Sequence, residues 1–540
     1  MVRPVTVASL LLSRAEDDHP GLIFEGHTWS WAAVVDECTA RAGALASLRR
    51  DGPFHFGVLL ENVPEYVFLL GGAALAGATI VGINPTRRGA ELAQDIRHTD
   101  CVAVLSDASQ SGALEGLDVG RVIDVEGPSW ASLVGAGGPL SALPDASATL
   151  LLIFTSGSTG APKAVRMSQG RAARTASGSV FTPDDVLYCA MPLFHGNSLL
   201  ANLFPAMATG ATVVLRRRFS ASAFVPDVRA HGCTFFNCVG RALSYVVAVP
   251  ESPDDAGTTL KWVLAPESSP RDARQFRRRF GVPVIEGYGS SENAVIIQPG
   301  LGMPRGSLGK PSEGLDVAII DPATSIECPP AQFDEDGRIL NAEEAIGEIV
   351  GRNSVGMFEG YYKNPAAEAE RTRGGWYWSG DLGYRDADGW FWFAGRTADW
   401  LRVDGENFAA APIERIIGRF VGVDGVAVYA VPDPATGDQV MASVQMEQGV
   451  AFDPVAFDAF LAAQRDLGTK WAPRFVRVVG SLPVTATNKV DKKPLRAERW
   501  EAGQVWWRPA KGDGYRSFTP EDERSLREQF SANDRASLLP

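Results

Sequence analysis

A chain of 540 residues is too long for one compact core and implies a large multi-lobed domain with a smaller companion. Hydrophobic residues at 45% and charged residues at 21% are an ordinary globular balance, which sets aside a disordered or fibrous chain. A net charge of −13 repels nucleic acid and anionic membranes in bulk, so neither is the expected partner.

In chain order, the first 150 residues alternate helix-length segments with short apolar strands at 56–60, 79–83, 102–105 and 121–124. Strands spaced by helices indicate parallel sheets covered by helices. The uncharged stretch 66–84 reaches the length of a marginal membrane span. It is crowded with small residues (Gly71, Gly72, Ala73, Ala74, Ala76, Gly77, Ala78) and turns β-rich at Thr79, so a buried helix followed by a buried strand is expected, with no membrane span. Residues 150–154 form an apolar strand that runs into a Gly/Ser/Thr loop, and strands at 211–215, 234–236, 261–264 and 282–285 continue the α/β rhythm. After Gly306 short strands broken by Gly and Asp, at 316–320, 347–351 and 389–393, suggest a β-rich subdomain. A further unit starts near Gly395-Arg396, with helices at 411–419 and 453–463 and strands at 423–431 and 474–479. The expected division is 1–396, 397–510 and a polar extension 511–540 lying on the surface. Cys38, Cys101, Cys189, Cys233, Cys238 and Cys328 show neither a CxxC pair nor metal-ligand spacing and read as buried thiols of a reducing compartment. The start, Met1-Val-Arg-Pro4, lacks the layout of a signal peptide, and a cytoplasmic location is expected.

The strongest local signal is the loop Thr155, Ser156, Gly157, Ser158, Thr159, Gly160, Ala161, Pro162, Lys163. Two glycines let backbone N–H groups approach an anion, four hydroxyls add donors, and Lys163 supplies charge. It is not a Walker A loop, because Pro162 stands where that motif needs Gly. A mere Ser/Gly linker would not follow a buried strand and end in Pro-Lys, so phosphate binding is the expected role.

With the motifs Met191-Pro-Leu-Phe-His195, Gly287-Tyr-Gly-Ser-Ser-Glu292, Gly347-Glu348, Trp378-Ser-Gly-Asp-Leu382, Gly395-Arg396 with Asp399, Gly405-Glu-Asn407 and Pro483-Val-Thr-Ala-Thr-Asn-Lys489 in this order, the chain resembles the adenylate-forming superfamily over nearly its whole length. That superfamily holds acyl-CoA synthetases, peptide-synthetase adenylation domains and luciferases. The resemblance implies an α/β fold: a large N-terminal domain of parallel sheets with helices plus the β-rich subdomain, and a small mobile α+β C-terminal domain hinged near Arg396 and Ala398. It implies ATP, Mg²⁺ and CoA as cofactors and co-substrates. Thr155 to Gly160, Lys163, Glu267, Ser268, Tyr288, Ser291, Asp381 and Arg396 would hold the nucleotide. Tyr288 would stack on adenine, Ser291 would bond the α-phosphate and Asp381 would accept the ribose hydroxyls. Glu292, with Thr155, would hold the metal. Lys489 would stabilise charge at the phosphoryl centre, His195 would line the carboxylate site, and Phe236, Val239, Gly287 and Tyr288 would shape the acyl pocket. Gly405, Glu406 and Asn407 would face the CoA tunnel once the small domain has rotated.

The stretches Phe236-Asn-Cys-Val-Gly-Arg-Ala-Leu-Ser-Tyr245, Trp400-Leu-Arg-Val-Asp-Gly-Glu-Asn407 and Trp506-Trp-Arg-Pro509 are similar to actinobacterial long-chain and fatty-acid-transport-type ligases, some of which activate sterol side chains. No Asp for a substrate ammonium appears at 235–239, so an apolar, bulky or polycyclic acid is implied. The resemblance is broken at Ala398, where the hinge usually carries Asp or Lys, at Asn488, where Gly commonly precedes the lysine, and at Ala265-Pro266, where small residues usually cover adenine. Pro266 stiffens that loop and removes an N–H. It opens a second reading, in which a partner ligase delivers the acyl-adenylate and this chain only thioesterifies it. A third has the chain bind acyl or nucleotide ligands without catalysis. Assembly is left open, with a homodimer among the options.

Overall fold

The computed structural model describes residues 5–136, 138, 142–155, 163–266, 268, 270–304, 306–335, 337–396, 400–403, 406–435, 437–468, 470–485, 489–510, 512–533 and 535–539. The chain divides into two compact units, residues 1–296 with 356–372 and residues 297–355 with 373–540. The β-rich stretch after residue 296 therefore groups with the C-terminal residues in this division.

The first unit holds two sheets. One has the strand order Val122–Asp124, Cys101–Ser106, His55–Leu59, Thr79–Gly82, Thr149–Thr155 and Lys163–Ser168, parallel except for the last pair. The other runs Val284–Ile285, Trp262–Leu264, Phe235–Asn237, Val186–Cys189, Thr212–Leu215, Pro20–Phe24 and His27–Ser30, again parallel except at its last pair. Pro20–Phe24, His27–Ser30, Lys163–Ser168 and Val186–Cys189 were not expected; the other nine strands are the ones expected from the apolar runs, shifted by a residue or two at their ends. Their continuous apolar character follows from burial on both faces.

The uncharged stretch is a helix, Pro64–Ala76, and then the strand Thr79–Gly82. Proline at the helix start and Gly77 at φ 68° past its end supply the two stop signals that shorten it. Its small residues have a packing reason. A Cβ on Gly71 would lie 2.3 Å from Cys38 Sγ, and one on Gly72 would lie 2.8 Å from Arg41 Cβ, both on the helix Trp31–Ser47. The helix is poor in bulk because its neighbour lies so close. Among the described residues no helix is long and apolar enough to cross a membrane. Burial pushes all six thiols up, Cys101 and Cys328 to about 11, which keeps them protonated at neutral pH.

The second unit carries an antiparallel sheet built on Val317–Ile320, Gly347–Gly351, Trp376–Arg385 and Phe391–Arg396. It also carries a five-stranded sheet with the order Val423–Pro432, Asp438–Met446, Phe475–Val479, Gln504–Trp507 and Arg516–Ser517. Helices Ala410–Ile417 and Pro454–Ala462 match the expected segments, with ends shifted by one or two residues.

The tail differs from its expectation as a surface extension. Helix Pro520–Ala532 starts with a capping box between Thr519 and Asp522 and buries Leu526 and Phe530, four residues apart on one face. They join a core with Tyr429, Phe475 and Trp500. Arg535 fixes the far end by donating to the carbonyls of Asp433 at 2.9 Å and Gly437 at 3.1 Å. The segment reads as polar because only one narrow stripe of it is apolar. Phe530→Ala should therefore destabilise this unit by about 3–5 kcal/mol. Chemical denaturation followed by tryptophan fluorescence measures the loss, and a change within about 0.5 kcal/mol would show a tail that lies loosely on the surface.

Candidate active site

The expected site residues fall on both units, and each half is described by itself.

In the first unit the site grows from a close approach of backbones. Gly82 ends its strand so near Phe194 that a Cβ would stand 2.7 Å from the Phe194 carbonyl oxygen. Only glycine fits there. The turn carrying Phe194 and His195 is held from a second side by Asn62, which is buried. Its amide nitrogen donates to the Met191 carbonyl at 2.8 Å and to the Arg216 carbonyl at 3.2 Å, and its oxygen accepts from Leu193 N–H at 2.8 Å. His195 is partly exposed beside the Phe194 ring. The next residue, Gly196, faces Ser291: a Cβ there would be 3.7 Å from Ser291 Oγ. The substrate-side and adenylate-side motifs, about a hundred residues apart in sequence, are thus brought together.

The two strands that flank the Gly/Ser/Thr loop in sequence pair with each other, and a strand rather than a helix follows at Lys163. Strands Thr149–Thr155 and Lys163–Ser168 are antiparallel, with Thr155 opposite Lys163. Ser156 to Gly160 lie outside the described residues, as does Glu267. Lys163 Nζ stands 3.4 Å from Glu370, an exposed carboxylate whose screened attraction leaves the lysine available to a phosphate. Ser268 is buried and donates to Glu286 at 2.9 Å. Tyr288 and Gly287 are partly exposed.

Glu292 is 6% exposed and accepts a hydrogen bond from Tyr361 Oη on Oε1 at 2.7 Å. Arg371 Nε in turn lies 3.4 Å from that hydroxyl. Burial, and then the adjoining Glu292 charge, push the Tyr361 phenol well above its ordinary range, so it stays protonated and keeps donating. Arg171 reaches the Glu292 carbonyl from the other side. One carboxylate oxygen is therefore fixed by the protein. Among the described residues no three His, Cys, Asp or Glu side chains converge as a metal cage.

Of the expected pocket residues, Phe236 is fully buried among Tyr188 and Phe224, with ring centroids 5.6 and 4.6 Å away. Its ring belongs to the core of the sheet's covered face. Alternation along the strand puts the next residue, Asn237, on the other side. Val239 is buried at the start of helix Gly240–Ala248.

In the second unit Asp381 and Arg396 are cross-strand partners on strands Trp376–Arg385 and Phe391–Arg396. The bulge carrying Asp381 is anchored by Glu348, a buried carboxylate that accepts from Gly380 N–H at 2.7 Å. Gly347 before it passes Ile320 so closely that a Cβ would meet that carbonyl oxygen at 2.6 Å. Lys489 closes a small hairpin: Thr485 N–H donates to its carbonyl at 2.8 Å, and its own N–H reaches Thr485 Oγ1 at 3.2 Å. Glu406 and Asn407 open a strand, Glu406–Ala409, paired with Trp400–Val403. Ala398 and Gly405 lie outside the described residues.

The family model for the AMP-binding enzyme matches residues 12–362, and that for the AMP-binding enzyme C-terminal domain matches residues 412–489. The chain belongs to the AMP-binding enzyme family. It is 50% identical to the steroid-22-oyl-CoA synthetase of Rhodococcus jostii (strain RHA1), over 99% of both chains. It is 44% identical to the medium/long-chain-fatty-acid–CoA ligase FadD17 of Mycobacterium tuberculosis (strain ATCC 25618 / H37Rv), over 93% of this chain and 98% of the relative. Among solved structures, ATP-bound MatB from Rhodopseudomonas palustris superimposes with a TM-score of 0.79 at 23% identity, covering 91% of this chain and 98% of that one. The protein is an acyl-CoA ligase that works through an acyl-adenylate.

Sequence reading of this ligase missed Tyr361, Asn62 and the buried Asn237. Tyr361 stands 69 residues from its carboxylate partner, and no spacing pattern links them. Asn62 acts only through backbone groups, which leave no trace in side-chain patterns. Asn62→Ala should cost about 2–4 kcal/mol by orphaning buried partners. Denaturant unfolding measures this, and a loss below about 0.5 kcal/mol would mean the turn holds without its clamp.

Proposed function

We propose that this ligase activates a polycyclic acid of the steroid class, whose carboxyl sits on a short side chain, and passes it to CoA. The observation that carries this reading is the 50% identity across 99% of both chains with the steroid-22-oyl-CoA synthetase.

In the first step a carboxylate oxygen attacks the α-phosphorus of ATP and pyrophosphate leaves. In the second the CoA sulfur attacks the acyl carbonyl, AMP leaves and the thiol proton is released. Ser291 and the hydroxyls of the phosphate loop bind phosphate oxygens, with Lys163 supplying charge. Asp381 accepts the ribose hydroxyls, held in register by the Glu348 anchor, and Tyr288 stacks on adenine. Lys489 stabilises the charge that builds up as the carboxylate and α-phosphate meet. Glu292 fits Mg²⁺, a hard cation that keeps water and phosphate oxygens and needs few protein carboxylates. When bound, the cation neutralises phosphate charge. Tyr361 is a positioning residue that aims the Glu292 carboxylate. Residues 397–510 act as the mobile domain, turning about Ala398 to present Gly405, Glu406 and Asn407 to CoA.

Pro266 favours a second reading, in which this chain only thioesterifies an acyl-adenylate made by a partner ligase. Purified protein given a steroid C22 acid with Mg-ATP and CoA should release AMP and the acyl-CoA. Turnover only from synthetic acyl-adenylate and CoA would replace the complete ligase with the thioesterifying one.

Two variants test the assigned roles. Lys489→Ala should lower acid-dependent pyrophosphate exchange by about a hundredfold or more while sparing thioester formation from ready-made adenylate. Equal loss in both assays would count against that division of labour. Tyr361→Phe should raise the Mg²⁺ concentration needed for half-maximal adenylation by about tenfold. An unchanged Mg²⁺ titration would remove Tyr361 from the metal's support.

A further inference from the structure

We propose that Asn197, Asn202 and Asn237 form a subsite that recognises a hydroxyl group on the acid, close in space to its carboxyl end. The inference deepens the proposed function and rests on the reading of this half-site as the place where acid meets nucleotide.

Asn237 ends the strand Phe235–Asn237 at its carboxyl edge, the edge where parallel sheets receive ligands. Its neighbours across the sheet are Cys189 and Leu264, and it has no exposed surface. Its amide nitrogen uses both hydrogens on its companions, donating to Asn197 Oδ1 and, at 2.9 Å, to Asn202 Oδ1. Asn202, also fully buried, donates to the Tyr188 carbonyl at 3.3 Å. The oxygen of Asn237 is buried and accepts no hydrogen bond among the described residues. Three amides are thereby ordered in an apolar setting, with one buried acceptor left without a protein partner among the described residues. A cluster needed only for packing gains nothing from that arrangement, because an open buried acceptor is costly.

The backbone is bent to build the cluster. Asn197 and Asn202 are five residues apart, which places them about 140° from each other around an ordinary α-helix. Here Leu199–Leu203 form a π-helical turn, closed by Phe204 N–H donating to the Leu199 carbonyl, and the i to i+5 register brings both side chains to Asn237. Such turns are rare and gather at functional sites. Asn197 is partly exposed and follows Gly196, whose Cβ position lies 3.7 Å from Ser291 Oγ. The cluster therefore borders the serine assigned to the α-phosphate, where the activated carboxyl must lie.

The hydrogen-bond inventory selects the ligand group. A hydroxyl donates to the Asn237 oxygen and accepts from the Asn197 amide. A ketone can only accept, and a methylene does neither, so both leave the Asn237 oxygen unsatisfied.

The test compares kcat/KM for acyl-CoA formation with matched acids. One set is a steroid C22 acid with a hydroxyl on the ring carbons next to the side chain, with its keto and deoxy counterparts. The other is a hydroxylated fatty acid with its unsubstituted parent. The wild-type enzyme should favour the hydroxylated member by about tenfold or more, and in Asn237→Leu the ratio should fall to about one. Because the wild type alone reads the preference, poor folding of the variant does not decide the outcome, and Asn202→Leu gives an independent second variant. Equal kcat/KM for hydroxylated and deoxy acids in both sets would overturn the subsite, as would a preference that survives Asn237→Leu. Discrimination confined to the fatty acids, with no turnover of any steroid acid, would support the subsite and overturn the steroid reading.

Discussion

The first unit of this ligase depends on the absence of a side chain at Gly82. The end of one sheet passes the Phe194 carbonyl so closely that any side chain at that glycine would collide with backbone, which cannot move aside as a flexible side chain can. That approach sets where the His195 turn lies relative to the strand Thr149–Thr155 that carries the phosphate loop, because the strand Thr79–Gly82 pairs directly with it. Asn62 locks the same turn through two backbone hydrogen bonds, at Met191 and Leu193, and ties it by a third to the Arg216 carbonyl. Two sheets that could slide past each other are thereby pinned at the edge where parallel sheets bind ligands.

Two buried polar constructions then differ in purpose. Around Glu292 the hydrogen bonds converge on a carboxylate, with Tyr361 on one oxygen and Arg371 behind it, so the charged group is held before any ligand arrives. Around Asn237 the bonds converge on neutral amides and leave an oxygen open. Charge suits a cation common to all substrates, whereas a neutral acceptor suits one group on one kind of acid. In the roles proposed above, electrostatics serves the chemistry that the family shares and the amide cluster serves the choice of substrate. Polar groups in such a position discriminate more sharply than apolar walls, since a missing partner leaves a buried atom without a hydrogen bond.

Much of the fold was legible in the amino-acid sequence because the apolar strands and their spacing are local. Strands 79–83 and 423–431 moved by no more than a residue at either end, and the uncharged run at 66–84 resolved into helix and strand at Gly77 as its residues suggested. The tail escaped, because Leu526 and Phe530 are too sparse a stripe to announce burial until the sheet beneath them is known. At the site, motif residues such as Asp381 and Arg396 were legible as types, and their strand pairing agrees with a shared task. Phe236 and Asn237 show the limit: adjacent residues on a strand point oppositely, and only the sheet's neighbours decide which one faces the ligand. Tyr361 and Asn62 were invisible for a different reason. Their partners are distant in sequence, and in Asn62's case are backbone groups with no residue identity.

The departure at Ala265-Pro266 also takes on a different weight in three dimensions. Ala265 is fully buried, and its N–H is spent on the Ile285 carbonyl at 3.0 Å, completing the ladder between strands Trp262–Leu264 and Val284–Ile285. A proline at the next position falls where that ladder has already ended, so its missing donor breaks no pairing, and its fixed φ helps the chain turn away from the sheet. The rigid dipeptide thus terminates a strand paired on both sides, after its last ladder bond. What the proline subtracts from this loop is a single N–H. A proline placed after the last ladder bond removes no pairing from this edge, and on that ground the complete ligase is the reading we favour.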